Sequence, residues 1–175
     1  MKKTIHFLTI ILILSFNSGF SQTEMKDYKV GHPINISLPN YMSKTLGLND
    51  VATLQYKNTV KDVYGFIIED NKEELALAEL NYSSINEFYD NFIESFLKDL
   101  PSRKISNPIF QKKNDISFIE CDASYYDDEV KVEIYYLVGV VETSLAYYKV
   151  LSWSTVANKD KFKEDFRKIL YSLND

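Results

Sequence analysis

Cysteine and histidine are both scarce in this sequence. It has one cysteine, Cys121, and two histidines, of which only His32 lies beyond residue 21. A single cysteine excludes an intramolecular disulfide, so the fold must be held together by its core alone. A single histidine excludes a multi-histidine zinc site, and His32 is predicted to be a surface residue of a loop between Gly31 and Pro33.

Basic clusters and catalytic motifs are missing as well. Lys and Arg total 20 against 25 Asp and Glu, the formal net charge is −5, and the one notable basic pair is Lys112-Lys113 in a predicted turn. Nucleic acids and anionic membranes attract clustered positive charge, so the composition argues against both as partners. The spacings G-x-S-x-G, H-E-x-x-H, C-x-x-C and G-x-G-x-x-G and the Walker motif do not occur. We predict no catalytic, metal-binding or cofactor-binding residue, and no cofactor.

The N-terminal segment carries the clearest signal of destination. Lys2-Lys3 precede an apolar run over residues 7–16, and small side chains stand at the −3 and −1 positions before Gln22. That order is typical of a secretory signal peptide, and the run is shorter than the roughly 20 residues of a membrane span. We predict a signal peptide over residues 1–21 and a single domain over residues 22–175. The domain is expected in the periplasm or the exterior, with no stable insertion in the membrane.

Cys121 bears on both the core and the destination. It alternates with Ile119 and Ala123, which predicts the inward face of a strand and a buried structural thiol. It also lies too far from the predicted signal peptide to be the lipid-bearing cysteine of a lipoprotein. The lipoprotein interpretation is therefore disfavoured.

One long amphipathic helix is predicted over residues 84–100. Ser84 and Glu87 have the spacing of a capping box at its start, and Pro101 ends it. The apolar residues recur at the spacing of one helical face: Ile85, Phe88, Tyr89, Phe92, Ile93, Phe96, Leu97 and Leu100. Packing of this aromatic-rich stripe against a sheet is the preferred interpretation.

Alternating apolar residues predict strands before and after this helix. The predicted strands cover residues 34–38, 52–56, 63–68, 104–111, 116–126, 130–141 and 145–154, and a closing helix starts near Asn158. Residues 22–27 are predicted to be a frayed lead-in and residues 69–74 a solvated connection. Residues 75–80 fit either a helical turn or a short strand.

The strand over residues 130–141 becomes apolar on both faces, which predicts that it is covered on both sides. Gly139 within it predicts a bulge or a close approach of backbone. The order βββαββββα predicts an α+β fold, with a central antiparallel sheet of about six or seven strands and helices packed on both faces.

This order of elements resembles the PsbP-like superfamily, which is named after an extrinsic photosystem subunit and includes secreted bacterial proteins. The resemblance covers most of residues 28–173. It rests on the strand Ile34-Asn35-Ile36-Ser37-Leu38-Pro39, the capped helix, the long hairpins and the closing Ile169-Leu170-Tyr171-Ser172-Leu173. It is a likeness of elements without a shared functional motif, so it implies no site residue. It implies an accessory module that binds a protein.

Two groups of carboxylates are the remaining candidates for chemistry. Asp127-Asp128-Glu129 offers ligands for calcium but lacks the EF-hand spacing, so a solvated hairpin turn is preferred. Glu120 and Asp122 alternate on one face of a predicted strand. They form either an acid pair whose pKa values are pushed apart or, as preferred, exposed charges near the edge of the sheet.

Tyrosine is enriched in the second half of the chain as three adjacent pairs on three consecutive predicted strands: Tyr125-Tyr126, Tyr135-Tyr136 and Tyr147-Tyr148. Neighbours in a strand point to opposite faces, so each pair sends one ring each way. Packing in the core is preferred. These rings are also the first place to look for a ligand or partner.

Three functions stay open at this point. The first is an exported, non-enzymatic binding or accessory module whose partner is a protein or another envelope component, and a flat exposed aromatic patch favours it. The second is a carrier of a small ligand, favoured by a closed, tyrosine-lined cavity of a few hundred Å³. The third and least favoured is a carboxylate-dependent hydrolase, which needs a cleft converging on Glu120 and Asp122 with raised pKa values.

Overall fold

The computed structural model describes residues 23–30 and 34–174. The predicted signal peptide and His32 lie outside these residues. The elements follow one another as β1 (Met25–Val30), β2 (Ile34–Pro39), β3 (Ser43–Lys44), β4 (Leu54–Asn58), β5 (Val63–Asn71), α1 (Lys72–Leu77), α2 (Ile85–Ser95), β6 (Lys104–Ile105), β7 (Ile109–Lys113), β8 (Ile116–Asp127), β9 (Val132–Glu142), β10 (Ala146–Thr155) and α3 (Lys159–Ser172). Within this described part, no helix has the length and apolar character needed to cross a membrane.

One large antiparallel sheet holds most of the strands. Its order is β3-β4-β5-β10-β9-β8-β6, and β7 also pairs with β8. β1 and β2 form a separate antiparallel hairpin. The predicted α+β fold with a central antiparallel sheet is therefore confirmed.

Helices pack on both faces of this sheet, as the apolar character of β9 on both sides predicts. α3 and the β1–β2 hairpin cover one face, where the buried side chains include Leu38, Tyr56, Phe118, Tyr148, Phe166 and Ile169. α2 packs on the other face over a smaller cluster: Ile119, Cys121, Val138, Val140, Tyr147 and Leu151. Because α2 is shorter than the strands below it, this second face is only partly covered.

Gly139 allows α3 to lie close to the middle of β9. It pairs with Glu120 and Val150 without a break in register, so the strand has no bulge there. A Cβ atom at Gly139 would overlap the side chain of Leu170 on α3. The predicted close approach is confirmed, and its cause is the packing of Leu170 directly on the glycine backbone.

α2 begins at the predicted capping box but ends earlier than predicted. The N–H of Glu87 donates to Ser84 Oγ at 3.3 Å, and the Glu87 carboxylate accepts from the N–H and the hydroxyl of Ser83, both at 2.7 Å. The helix ends before Leu97, whose φ is 59°. The predicted extension to Leu100 is wrong, since a residue in the left-handed region turns the chain out of the helix.

The prediction of a frayed lead-in over residues 22–27 is also wrong, because β1 begins inside it. β1 pairs with β2 along its whole length. Thr23 Oγ1 donates to Asp165 of α3 at 3.1 Å, which ties the start of the hairpin to the core helix. The polar composition indicated disorder, but the edge of β2 supplies hydrogen bonds that a sequence pattern does not show.

Two other segments are divided differently from the prediction. The predicted strand over residues 104–111 is broken into β6 and β7 around Pro108, which has no N–H to donate to a ladder. The predicted solvated connection over residues 69–74 is the end of β5 and the start of α1. Asn71 caps α1 by accepting from two backbone N–H groups of its first turn, at 2.8 and 3.3 Å. The open choice for residues 75–80 is thereby resolved as the end of a helix.

Candidate functional site

Four aromatic rings line up across four neighbouring strands of the sheet. They are Tyr64 on β5, Trp153 on β10, Tyr136 on β9 and Tyr125 on β8. Successive ring centroids are 5.5, 5.5 and 6.3 Å apart, with interplanar angles of 20°, 28° and 27°. All four side chains are half-buried. We call this set the aromatic row.

The register of the strands places these rings side by side. Trp153 stands directly opposite Tyr64 on β5 and directly opposite Tyr136 on β9. Tyr125 is the diagonal neighbour of Tyr136, two residues beyond the Ala123 that faces it. Since neighbouring strands are about 4.8 Å apart, the row extends over roughly 14 Å of the sheet. Each such ring pair contributes about 0.5–1.5 kcal/mol beyond its buried area.

The aromatic row occupies the part of its face that α2 leaves open. α2 packs over the other half of that face, and Phe96, which follows its last turn, meets Tyr136 edge-on at 5.4 Å. Phe66 on β5 meets Trp153 edge-on at 5.6 Å. These two rings fix the row in position and leave it half-buried.

Stacking covers the ring faces that meet inside the row. Trp153 and Tyr136 each stack on a ring from both neighbouring strands. Burial, the charge of Asp62 and a hydrogen bond to it raise the pKa of Tyr64. Burial and Asp127 likewise raise the pKa of Tyr125. Both hydroxyls therefore stay protonated at neutral pH and can donate hydrogen bonds.

The three tyrosine pairs divide between the two faces of the sheet, as predicted. Tyr135 and Tyr148 lie in the core under α3, whereas Tyr136 and Tyr147 lie on the α2 face. Tyr135, Tyr147 and Tyr148 are at most 3% exposed, so they are core residues. Of the pairs, Tyr136 and Tyr125 belong to the aromatic row.

Tyr64 and Trp153 are the members of the row that sequence analysis missed. They lie in strands that were predicted separately, and the pairing of β5 with β10 brings them together. Alternation places Tyr64 and Phe66 on one face of their strand, so part of the signal was present. The order of the strands was not readable from the sequence, because it depends on long-range pairing.

A second candidate site, which is polar, lies between β8, β9 and the start of α3. A cleft of about 420 Å³ opens here, bordered by Lys104, Ser106, Asp122, Glu133, Tyr135 and Lys159 among others. Asp122 is its centre. Its Oδ2 accepts from Lys159 and Lys163, each at 2.8 Å, and its Oδ1 accepts from the Tyr135 hydroxyl at 2.9 Å.

Glu120 is buried beside this cleft. It is 2% exposed, and its Oε1 accepts from Arg167 Nε at 2.9 Å. The prediction that Glu120 and Asp122 are exposed charges near the edge of the sheet is therefore wrong. The reason is that α3 lies over this face of β8 and supplies the cations that neutralise both carboxylates, an arrangement that a strand pattern does not reveal.

The ionisation of Asp122 makes the fold sensitive to acid. Burial opposes that ionisation, but hydrogen bonds from Lys159, Lys163 and Tyr135 outweigh it and lower the pKa of the carboxyl. A group with a lowered folded pKa stabilises the fold above its unfolded pKa, about 3.9, and loses that contribution as the pH falls through the folded value. We expect the free energy of unfolding to fall less for Asp122→Asn than for the wild type when the pH is lowered from 7 to 3. Urea unfolding at both pH values measures this, and equal losses would contradict it.

Cys121 is buried, as predicted, with 2% of its surface exposed. Burial raises its pKa to about 11, although a hydrogen bond with Tyr89 opposes this. At pH 8 about one such thiol in a thousand is a thiolate, the form that reacts. We expect DTNB to modify the folded protein at least about 100-fold more slowly than the urea-unfolded protein. Similar rates for the two states would show that the thiol is accessible.

The acidic segment Asp127-Asp128-Glu129 forms the predicted hairpin turn. Asp127 Oδ1 accepts from the N–H groups of Glu129 and Val130, at 2.9 and 3.1 Å. This oxygen is thus engaged by the turn itself. Throughout residues 23–30 and 34–174, no group of three or more His, Cys, Asp or Glu side chains is placed to hold a metal ion.

Four clefts of about 320 to 480 Å³ along the described residues open to solvent. The smallest, of about 320 Å³, is bordered by two tyrosines, Tyr82 and Tyr147, but also by Lys72 and Glu142. It is therefore polar and open. None of these four clefts is the closed, tyrosine-lined cavity that a carrier needs.

Three solved structures are similar to this chain over most of their length. The cyanobacterial PsbP protein CyanoP of Synechocystis sp. PCC 6803 is 13% identical, with a TM-score of 0.62 and 90% of this chain and 95% of that chain covered. PA94 of Pseudomonas aeruginosa, a protein of unknown function and putative regulator, is 12% identical, with a TM-score of 0.53 and coverage of 87% and 97%. LpqN of Mycobacterium tuberculosis, involved in cell envelope biogenesis, is 11% identical, with a TM-score of 0.55 and coverage of 87% and 91%. No protein-family model and no curated protein matches the sequence.

Proposed function

From the PsbP-like fold that this chain adopts, we propose that the protein is an exported, non-enzymatic accessory module that binds another protein through the aromatic row. Proteins of this fold include a putative regulator and a protein involved in cell envelope biogenesis. The fold alone selects no partner. The proposal is supported by the aromatic row on the surface of the sheet.

The observation that carries it is the half-buried state of four stacked rings on a part of the sheet without a helix over it. α2 packs over the adjoining part of the same face. Tyrosine and tryptophan are enriched in protein interfaces, because they bury large apolar area while their polar edges make hydrogen bonds. A binding partner would cover the exposed parts of these half-buried rings.

The carrier function has less support. It requires an enclosed cavity, whereas the four clefts described above are open and the one with two tyrosines has charged walls. The rings of the aromatic row stack on one another across the sheet and enclose no space. They suit a flat contact better than a small ligand.

The hydrolase function also has less support. Acid–base catalysis by Glu120 and Asp122 needs one carboxyl that stays protonated near neutral pH. The pKa of Asp122 is instead lowered, and Glu120 is paired with Arg167 in the core. Both carboxylates are better explained as the anchors of α3 on the sheet.

Export rests on the predicted signal peptide over residues 1–21. Thr23, two residues after the proposed cleavage point, donates to Asp165 of α3. The domain that remains after cleavage would therefore keep this contact between the start of the β1–β2 hairpin and the core helix.

The experiment compares capture of partners by the protein and by a double variant of the row, Tyr64→Ser with Tyr125→Ser. These rings end the row and are the easiest to remove without opening the core. We expect the variant to capture at least about 10-fold less of any envelope protein that the wild type retains specifically, because truncation of a hot-spot residue, a class enriched in tyrosine, costs about 2 kcal/mol or more.

The matched control is Tyr126→Ser. Tyr126 is the half-buried neighbour of Tyr125, and alternation sends its ring to the opposite face. It should keep full capture, while circular dichroism and thermal melting confirm that all variants fold. Equal capture by the double variant and the wild type would overturn the proposed function.

A further inference from the structure

The C-terminal half of α2 is buried less deeply than its N-terminal half. The buried side chains of this helix are Ile85, Phe88 and Tyr89, all in its first two turns. Phe92 in the helix and Phe96 just after it are only half-buried. The last carbonyl groups of a helix also have no partner within the helix. The end of α2 therefore depends on contacts from outside the helix to stay on the sheet.

Arg103 supplies two of these contacts. Its Nη2 donates to the carbonyl of Ile93 at 2.6 Å, and its Nε donates to the carbonyl of Phe96 at 2.8 Å. A guanidinium has several donors in a fixed planar arrangement, so one side chain reaches both carbonyls. The partial negative charge of a helix C-terminus stabilises the cation in the same place. We call these two hydrogen bonds the Arg103 clamp.

The chain turns back sharply between α2 and β6 to bring Arg103 into this position. Leu97 and Ser102 have φ values of 59° and 56°, in the left-handed region that is unfavourable for residues with a Cβ atom. On the far side of the turn, the N–H of Tyr126 on β8 donates to the carbonyl of Pro101 at 2.9 Å. Such backbone conformations persist where surrounding contacts fix them. Here the Arg103 clamp and the hydrogen bond to β8 do so.

Phe96 connects the Arg103 clamp to the aromatic row. Its carbonyl accepts from Arg103, and its ring meets Tyr136 edge-on at a centroid distance of 5.4 Å and an angle of 88°. Tyr136 stacks in turn on Trp153 and on Tyr125. One residue therefore joins the guanidinium to a ring inside the row, and a shift of Phe96 would remove the edge contact that Tyr136 receives from the end of α2.

We infer that Arg103 is a positioning residue for the aromatic row, an inference that rests on the proposed function. By holding the end of α2, Arg103 keeps Phe96 against Tyr136 and so keeps the row in one arrangement. A surface that is already ordered binds its partner more tightly, because less conformational freedom is lost on binding. Arg103 acts on binding through Phe96.

Amide hydrogen exchange measured by NMR tests whether Arg103 holds the end of the helix. The N–H of Phe96 donates to the carbonyl of Phe92, and we expect Arg103→Met to speed its exchange at least about 10-fold. The N–H of Phe88 donates to the carbonyl of Ser84 at the capped and buried start of the helix. Its exchange should change by less than about two-fold, which also shows that the rest of α2 stays folded.

The matched control is Lys98→Met. Lys98 is an exposed cation of the same turn, so its removal changes the net charge by the same amount and leaves the Arg103 clamp intact. It should leave the exchange of both amides unchanged within about two-fold. Arg103→Lys keeps the positive charge but lacks the planar fork of donors, so we expect it to give intermediate exchange at Phe96.

Acrylamide quenching of Trp153 fluorescence tests whether the Arg103 clamp acts on the row. Trp153 is the single tryptophan of the chain and stacks on Tyr136. We expect the quenching constant to rise at least about 1.5-fold in Arg103→Met, because a loosened Tyr136 ring covers Trp153 less completely. Phe96→Leu removes the same edge contact and should have a similar effect. In the Phe96→Leu background, Arg103→Met should add no further change, since both substitutions act through one contact.

Partner capture tests the consequence for binding. We expect Arg103→Met to capture about three-fold less of any envelope protein that the wild type retains specifically, because its row must be ordered on binding. Lys98→Met should capture as much as the wild type. Equal capture by Arg103→Met and the wild type would contradict the positioning role.

Wild-type exchange of the Phe96 amide or wild-type quenching of Trp153 in Arg103→Met would also overturn this inference, as would additive effects of the two substitutions on quenching. The proposed function fails by a different result, the retention of captured protein by the Tyr64→Ser, Tyr125→Ser variant. If that variant loses its captured protein while Arg103→Met leaves the quenching of Trp153 unchanged, the row remains a binding surface and the positioning role of Arg103 is wrong.

Discussion

Replacement of Arg167 by methionine is expected to lower the free energy of unfolding by about 3–5 kcal/mol. Arg167 donates to Glu120, which is 2% exposed and lies under α3. Without the guanidinium, an ionised carboxylate is left in the core with no compensating cation. For a chain of this size, the loss corresponds to a fall in melting temperature of roughly 8–15 °C.

Two further variants test whether the loss comes from the unpaired Glu120 carboxylate. Lys161→Met removes an exposed cation from the same helix and should change stability by less than about 0.5 kcal/mol. Adding Glu120→Leu to Arg167→Met removes the stranded charge and should recover most of the loss. Urea unfolding of the wild type and the three variants measures the differences. A loss below about 1 kcal/mol for Arg167→Met would show that Glu120 has other compensation.

Tyr135→Ala is expected to cost a similar amount, about 3–5 kcal/mol. Its ring is 1% exposed and stacks at 6.4 Å on Phe166 of α3, and its hydroxyl donates to Asp122. The variant removes the packing of the ring and one hydrogen bond to a charged group at the same time. Tyr135→Phe keeps the packing and should cost about 1.5–3 kcal/mol.

The contrast with the aromatic row separates structural tyrosines from binding ones. Tyr125→Ala removes a half-buried ring and should cost no more than about 1.5 kcal/mol. Thermal melting ranks the variants directly. If Tyr135→Ala proved as stable as Tyr125→Ala, the assignment of Tyr135 to the core under α3 would be wrong.

Local patterns in the sequence predicted several features of the fold correctly. The capping box at Ser84 gave the start of α2, and the two-sided apolarity of the strand around Gly139 gave helices on both faces. Both signals work because caps and alternation act over a few neighbouring residues. The polar strand β1 and the early end of α2 were missed, since each depends on hydrogen bonds or backbone conformations that several sequences satisfy equally well.

Only part of the candidate site could be predicted from the sequence. Adjacent tyrosines were correctly assigned to opposite faces, which is a property of any strand. Which ring stays at the surface depends on the length of α2 and on the pairing of β5 with β10, and neither is a local property. The predicted exposure of Glu120 and Asp122 was wrong for the same reason. Their environment is set by Arg167 and the lysines of α3, more than 30 residues further along the chain.

The central claim is that the partner covers the aromatic row, and site-specific photo-crosslinking in the producing cells tests it most directly. The photoreactive residue p-benzoylphenylalanine is placed in turn at Tyr125, at Tyr126 on the opposite face and at the exposed Phe110 on β7. We expect a discrete crosslinked protein from position 125, and a much weaker product or none from positions 126 and 110. Crosslinks of equal yield from all three positions, or a discrete product from position 126 alone, would contradict the account.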